Sequence, residues 1–312
     1  MNEMRPDTHA AMTLLDGGTG RELKRSGAPF RQPEWSALAL IEAPEFVSRV
    51  HRSYVDAGVD VITTNSYALV PFHIGEERFA SDGARLAALA GRLAREVAVA
   101  APTRVRVAGS LPPICGSYRA EWFDPEFARP ILEQLVRALA PHIDLWLAET
   151  LSTVAEAALV REVLGQNPHP LWLSFTLNDA SAIPGQPRLR SGESVQDAAA
   201  AAMRLGASAL LFNCSQPEVM GDAVDAARAV LTAAGRSGPA GIAIGVYANA
   251  FVPQRADAQA NSSFTDIRPD LTPSGYSAWV QDWQNRGARI VGGCCGIGPE
   301  HIAEMRRRIP RP

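Results

Sequence analysis

The chain has 312 residues, 46% hydrophobic and 20% charged, with 30 basic side chains against 33 acidic and a formal net charge of −3. That length suits a single α/β barrel of about 250 residues with extended loops, and the near balance of charge excludes the basic face that nucleic acid requires. No apolar run approaches the ~20 residues of a membrane span, and the opening MNEMRPDTHAAMTLLD lacks the apolar stretch of a signal peptide, so a cytoplasmic protein with neither membrane nor nucleic-acid partner is expected.

Short β-rich runs recur along the chain, separated by alanine-rich stretches with helical spacing. The first, 12–15, ends in Asp16-Gly17-Gly18. The second, 59–64, follows PEFVSRVHRSYVDAG, in which Phe46, Val50 and Tyr54 recur every four residues as one helical face would. Further runs occupy 105–111, 143–148, 171–177, 209–212, 242–247 and 289–291. Eight strands, most of them followed by a crossover long enough for a helix, predict a parallel sheet. The count of eight, and the lack of a GxGxxG turn after the first strand, favour a closed (β/α)8 TIM barrel over a doubly wound sheet. One domain spans 1–312, with its core at about 12–310 and terminal extensions at 1–11 and 303–312. Two long connections, 112–125 and 251–273, read as lids, binding loops or disordered segments on the strands' C-terminal side, the second carrying Asn261-Ser262-Ser263 at its middle.

Asp16, Thr64, Glu149, Cys214 and the pair Cys294-Cys295 all fall at or just past a predicted strand end. A closed barrel would gather them around one rim. The chain has only four cysteines, too few for a disulfide framework, and in a reducing compartment clustered thiols point to metal ligation or catalysis. The adjacent pair does not readily bridge itself, because consecutive Cα atoms lie about 3.8 Å apart, short of disulfide geometry. Three thiols from the sixth and eighth strands suit tetrahedral zinc with one open position. Both members of the pair can ligate one ion only if the chain turns there, and the surrounding glycines of GGCCGIG permit that turn. Three thiolates leave zinc with a net charge of −1, a poor activator of water but suited to deprotonating a substrate thiol. The chemistry implied is alkyl transfer to sulfur. Cys115, in PPICGSY, has no such partner and reads as a free thiol near the rim.

Asp16 and Glu149 could bind the ammonium group of an amino acid by charge-assisted hydrogen bonds. The N–H groups of Gly17 and Gly18, with Thr64 and Ser66, could meet its carboxylate. Trp35, on the loop after the first strand, offers an indole face to a cationic methyl donor, with core packing as the rival reading. Transfer from such a donor needs no proton relay, so His73 and His301 receive no role.

With LLDGGTGREL, GVDVITTNSY, AETLS, LLFNCSQPE and IVGGCCGIGPEHI taken together, the chain resembles the homocysteine S-methyltransferase family over nearly its whole length. The resemblance implies a (β/α)8 barrel with Zn2+ held by Cys214, Cys294 and Cys295. It further implies homocysteine as acceptor, its amino group on Asp16 and Glu149, and methionine as product. Trp35 matches a tryptophan near the donor in family members. The segment GSLPPICGSYRAEWF departs from the pattern of S-methylmethionine-using members, which bears on the donor. S-methylmethionine or S-adenosylmethionine is the favoured donor and betaine or another methylated onium the second. The chain is too short to carry cobalamin and folate modules. The alternatives are a non-catalytic zinc-binding barrel, which would need Cys115 as a fourth ligand, a zinc hydrolase, and a redox sensor built on vicinal thiols.

Overall fold

The computed structural model describes residues 12–238, 240–252 and 267–311. All eight expected strands are present: β1 (Thr13–Leu14), β2 (Val61–Thr63), β3 (Arg106–Leu111), β4 (Leu145–Leu151), β5 (Leu171–Phe175), β6 (Ala209–Asn213), β7 (Ala243–Tyr247) and β8 (Ile290–Val291). They form one parallel sheet in the order β1-β8-β7-β6-β5-β4-β3-β2. The two ends of that order meet through a parallel bridge between Leu15 and Val61, with Asp60 N–H donating to Leu14 O at 2.8 Å and Asp16 N–H to Val61 O at 3.1 Å. The cylinder is thereby closed, as a (β/α)8 barrel.

Alternation along each strand sorts the side chains into two cores. Leu145 and Leu147 point inward, with Ala108, Trp172, Leu211 and Ile290, and fill the barrel axis. Trp146 and Ala148 point outward to the helices. With both faces buried, the strands read as nearly continuous apolar runs, which is why the sequence betrays them without a period of two. Among the helices, Val154–Leu164 is started by a capping box between Thr153 and Glu156, and Pro125–Leu139 by the Asp124 carboxylate accepting from Glu126 and Phe127 N–H.

The expectation of a terminal extension at 303–312 is corrected by the last helix, Pro299–Arg308. Met305 and Ile309 are buried against the barrel, and the Arg306 guanidinium meets Asp60 at 2.5 Å and Gly58 O at 2.7 Å. Asp60 also accepts from Leu14 N–H at 2.8 Å. This segment therefore clamps the β1–β2 seam where the barrel closes. The expected extension at 1–11 and the middle of the 251–273 connection, with Asn261-Ser262-Ser263, lie outside the described residues.

Candidate metal centre

Three sulfurs converge at the C-terminal rim. Cys214 directly follows β6, and its φ of +51°, left-handed and uncommon for a side-chain-bearing residue, turns the chain off the strand. Cys294 and Cys295 follow β8, where the chain turns through Gly296 at φ +86° while Ile297 N–H donates to Cys294 O at 3.1 Å. This is the turn that ligation by both neighbours requires. The three Sγ atoms lie within 4.8 Å of one another, although Cys214 and Cys294 are separated by 80 residues. Sulfurs at 2.3 Å from one tetrahedral zinc would be about 3.8 Å apart, so the set is close to ligating spacing.

Cys214 and Cys294 are joined here as a disulfide, with Cα atoms 5.6 Å apart, and Cys295 is a free thiol. The four cysteines make no disulfide framework, as expected, but folding sets two would-be ligands within bonding reach. Reduction by two electrons returns a three-thiol set whose soft donors fit zinc. Among the described residues no fourth His, Cys, Asp or Glu joins the group. Cys115 stands elsewhere, its sulfur on the backbone of Asp124. A four-cysteine sealed site is therefore not assembled.

The same cavity is lined by Asp16, Gly17, Gly18, Arg21, Trp35, Thr63, Thr64, Tyr67, Tyr118, Glu149, Tyr247 and Phe251. The Asp-Gly-Gly loop after β1 presses on the cysteine loop: a Cβ on Gly18 would lie 2.6 Å from Cys294 O, so no larger residue fits there. Asp16 accepts from Thr63 N–H at 2.7 Å and from the Thr63 hydroxyl at 2.9 Å. Glu149 accepts from Ser110 at 2.5 Å and from Tyr247 at 3.4 Å. It is aimed inward on β4 just where the register with β5 shifts between Ala148 and Leu151 and Thr150 takes φ +59°. Asn213 fixes that irregular backbone, its Oδ1 accepting from Thr150 N–H at 3.0 Å and Ser174 at 2.7 Å while its Nδ2 donates to Thr150 Oγ1 at 2.8 Å.

Burial is the main cause that pushes both carboxyl groups up, each to about 7, against the lowering effect of their hydrogen bonds; for Asp16 the proximity of Glu149 adds to the rise. Burial likewise raises the Cys295 thiol to about 11, partly offset by the Arg21 guanidinium.

Two expected contacts are corrected. Ser66 does not line the cavity: its hydroxyl donates to Ser110 O at 2.8 Å and bonds Thr64 Oγ1. Gly18 lines it, but its N–H is spent on Ile297 O at 3.0 Å. Both groups serve loop closure rather than facing the cavity. Trp35 lies on the wall, buried, its ring edge-on to Phe30 at 4.7 Å. His73 bonds Pro33 O, and His301 accepts from Gly298 N–H and donates to Leu271 O, so both brace loops outside the cavity. Thr63, Ser110, Asn213, Tyr247, Arg21, Tyr67, Tyr118 and Phe251 are the contributors that sequence reasoning passed over. Position at or just past a strand end was the available signal for Thr63, Asn213 and Tyr247. Ser110 lies within β3, and Arg21, Tyr67, Tyr118 and Phe251 come from loops and a helix whose approach only folding defines.

A family model described as homocysteine S-methyltransferase matches residues 13–309. The chain is similar to a homocysteine S-methyltransferase of Escherichia coli K12, 29% identical with 95% of this chain and 94% of the relative covered, and to homocysteine S-methyltransferase 1 of Brassica oleracea var. italica, 27% identical with 96% and 93% covered. Its fold matches a crystal structure of the homocysteine methyltransferase MmuM from Escherichia coli in metallated form, with a TM-score of 0.75 at 27% identity and 96% of each chain covered.

Proposed function

This chain belongs to the homocysteine S-methyltransferase family, and from that premise we propose that it transfers a methyl group from an onium donor to the sulfur of homocysteine, giving methionine. S-methylmethionine or S-adenosylmethionine is the donor of first choice and betaine the second. The observation that carries the reading is the meeting of three thiol sulfurs from two distant strand ends in a cavity that also holds two buried carboxyl groups.

Cys214, Cys294 and Cys295, once reduced, would hold Zn2+ with a position left open toward the cavity. Bound zinc supplies deprotonation of the acceptor thiol near neutral pH, where a free thiol of pKa about 8.5 ionises only in small part. Asp16 and Glu149 take the amino group of homocysteine through charge-assisted hydrogen bonds, and Thr63, Ser110 and Tyr247 keep both carboxylates aimed. Gly17 and Thr64, which line the cavity, are the candidates from the expected set to meet its carboxylate. Trp35 offers its face to the donor's positive centre. Transfer joins a thiolate to a cation and cancels both charges, and a site walled by Tyr67, Tyr118 and Phe251 that sheds water favours that cancellation. No proton needs to be relayed, in keeping with His73 and His301 standing outside the cavity.

The test uses reduced, zinc-loaded protein with homocysteine and each donor in turn, reading methionine formed. Cys214→Ala and Cys294→Ala should lose zinc and turnover together. Zinc retained at the wild-type level in either variant would show the ligand set to be wrong. Loaded protein that makes no methionine from any onium donor would overturn the whole reading.

A further inference from the structure

Arg21 is the one basic side chain lining the cavity among the described residues, and the mechanism above gives it no task. It lies on the helix Thr19–Arg25, beyond the end of β1, and its guanidinium carbon sits 5.0 Å from the centre of the Phe251 ring, which belongs to the segment after β7. Asp16 and Glu149 stand on or at the strand ends themselves. Trp35 also lies past β1, in the loop before the helix Ser36–Glu42. The lining is thus divided in kind. The strand ends present two acids, and the rim beyond them presents a cation and the aromatic rings of Trp35 and Phe251.

A methyl donor that is an onium carries positive charge wherever it binds. A fixed guanidinium on the same rim repels a donor that is only cationic, whereas it attracts one whose positive centre is accompanied by a carboxylate. A carboxylate entering a partly buried cavity needs a charged or hydrogen-bonding partner there, and the planar guanidinium fork meets a carboxylate two-pronged. The acceptor's amino group already has its acids at the strand ends, and its carboxylate has been given to Gly17 and Thr64. On that assignment the rim cation falls to the second substrate.

We propose that Arg21 is a specificity-determining residue that binds the carboxylate of a zwitterionic methyl donor, so that carboxylate-bearing onium compounds are used in preference to simple cations. This rests on the methyl-transfer reading.

The experiment compares kcat/KM of the zinc-loaded enzyme for S-methylmethionine and betaine with that for the carboxamide of each, in wild type, Arg21→Gln and Arg21→Lys, with zinc content confirming an intact site. A charge-assisted contact corresponds to a preference of about tenfold to hundredfold for the carboxylate form. Arg21→Gln should bring the ratio close to one, Arg21→Lys should keep part of it, and the KM for homocysteine should move far less than that for the donor. Equal use of acid and amide by wild type overturns the assignment. So does a loss in Arg21→Gln that is the same for both forms, or one that falls on homocysteine. Absence of methionine from every donor would instead overturn the transfer reading, and this assignment with it.

Discussion

Asp16 and Glu149 carry their ionisation into a place where water cannot support it. With carboxyl groups near 7 in the folded chain and near 4 when unfolded, the folded state holds more protons across that interval. Stability without ligand should therefore fall as pH rises from about 4 to 7 and level off above. An amino acid's ammonium group needs both carboxylates ionised, so binding should expel protons below pH 7 and tighten as pH rises through it. Methionine, which has no thiol, isolates this effect: calorimetry on metal-free protein at about pH 6 in two buffers of different ionisation enthalpy should show proton release. Asp16→Asn should diminish the release, weaken methionine about tenfold to hundredfold and raise the melting temperature of the unliganded protein at pH 8. An Asp16→Asn protein that binds methionine as wild type does would reduce Asp16 to a turn residue. The acids themselves stood out in the sequence because each ends an apolar run. Their pairing with Thr63, Ser110 and Tyr247 did not, since those partners come from other strands, Tyr247 from across the barrel.

At the scale of elements, two devices hold the barrel, one at its C-terminal rim and one at the β1–β2 seam. Asn213 sits at the end of β6 and makes three buried hydrogen bonds, two with Thr150 in the irregular turn of β4 and one with Ser174 on β5. Asn213→Ala strands those partners, and urea denaturation should show a loss on the order of 2–4 kcal/mol, with weakened homocysteine binding because Glu149 is aimed by the same turn. The second device is the ion pair between Asp60 and Arg306, with side chains 11% and 13% exposed. Removing one partner of a buried pair costs about 3–5 kcal/mol, so Arg306→Ala should lower the denaturation midpoint strongly, while an unchanged midpoint would show the seam to be held by packing alone. This last helix was legible in sequence only up to its start, since Arg306, Arg307 and Arg308 resemble a solvated tail until the residue facing Arg306 is known. The strands could be read because burial on both faces makes them apolar throughout, and their edges were misplaced by one to three residues where pairing, rather than composition, ends a strand.

At the scale of the whole barrel, the cysteine site couples metal to fold. Zinc should raise the melting temperature of reduced protein, by about 2.7 kcal/mol of stability at a hundredfold excess over its dissociation constant. Protein with the Cys214–Cys294 bond intact should show no such response, because two of the three ligands are spent. Equal stabilisation of both forms, followed by calorimetry with and without reductant, would place the metal elsewhere. The sequence by itself determined the barrel, its eight strands, and the soft, thiol-rich and acidic chemistry of its rim, since continuous apolar runs and residue type are local properties carried along the chain. Only the tertiary structure decided which of those groups meet. It set Cys214 beside Cys294, turned Ser66 and the Gly18 N–H away from the cavity, brought Arg21 and Phe251 onto its edge, and folded the apparent C-terminal tail against the seam. The reason is that a closed barrel makes neighbours of residues far apart in the chain, and the distances between them follow from pairing register and loop approach, which no single segment encodes.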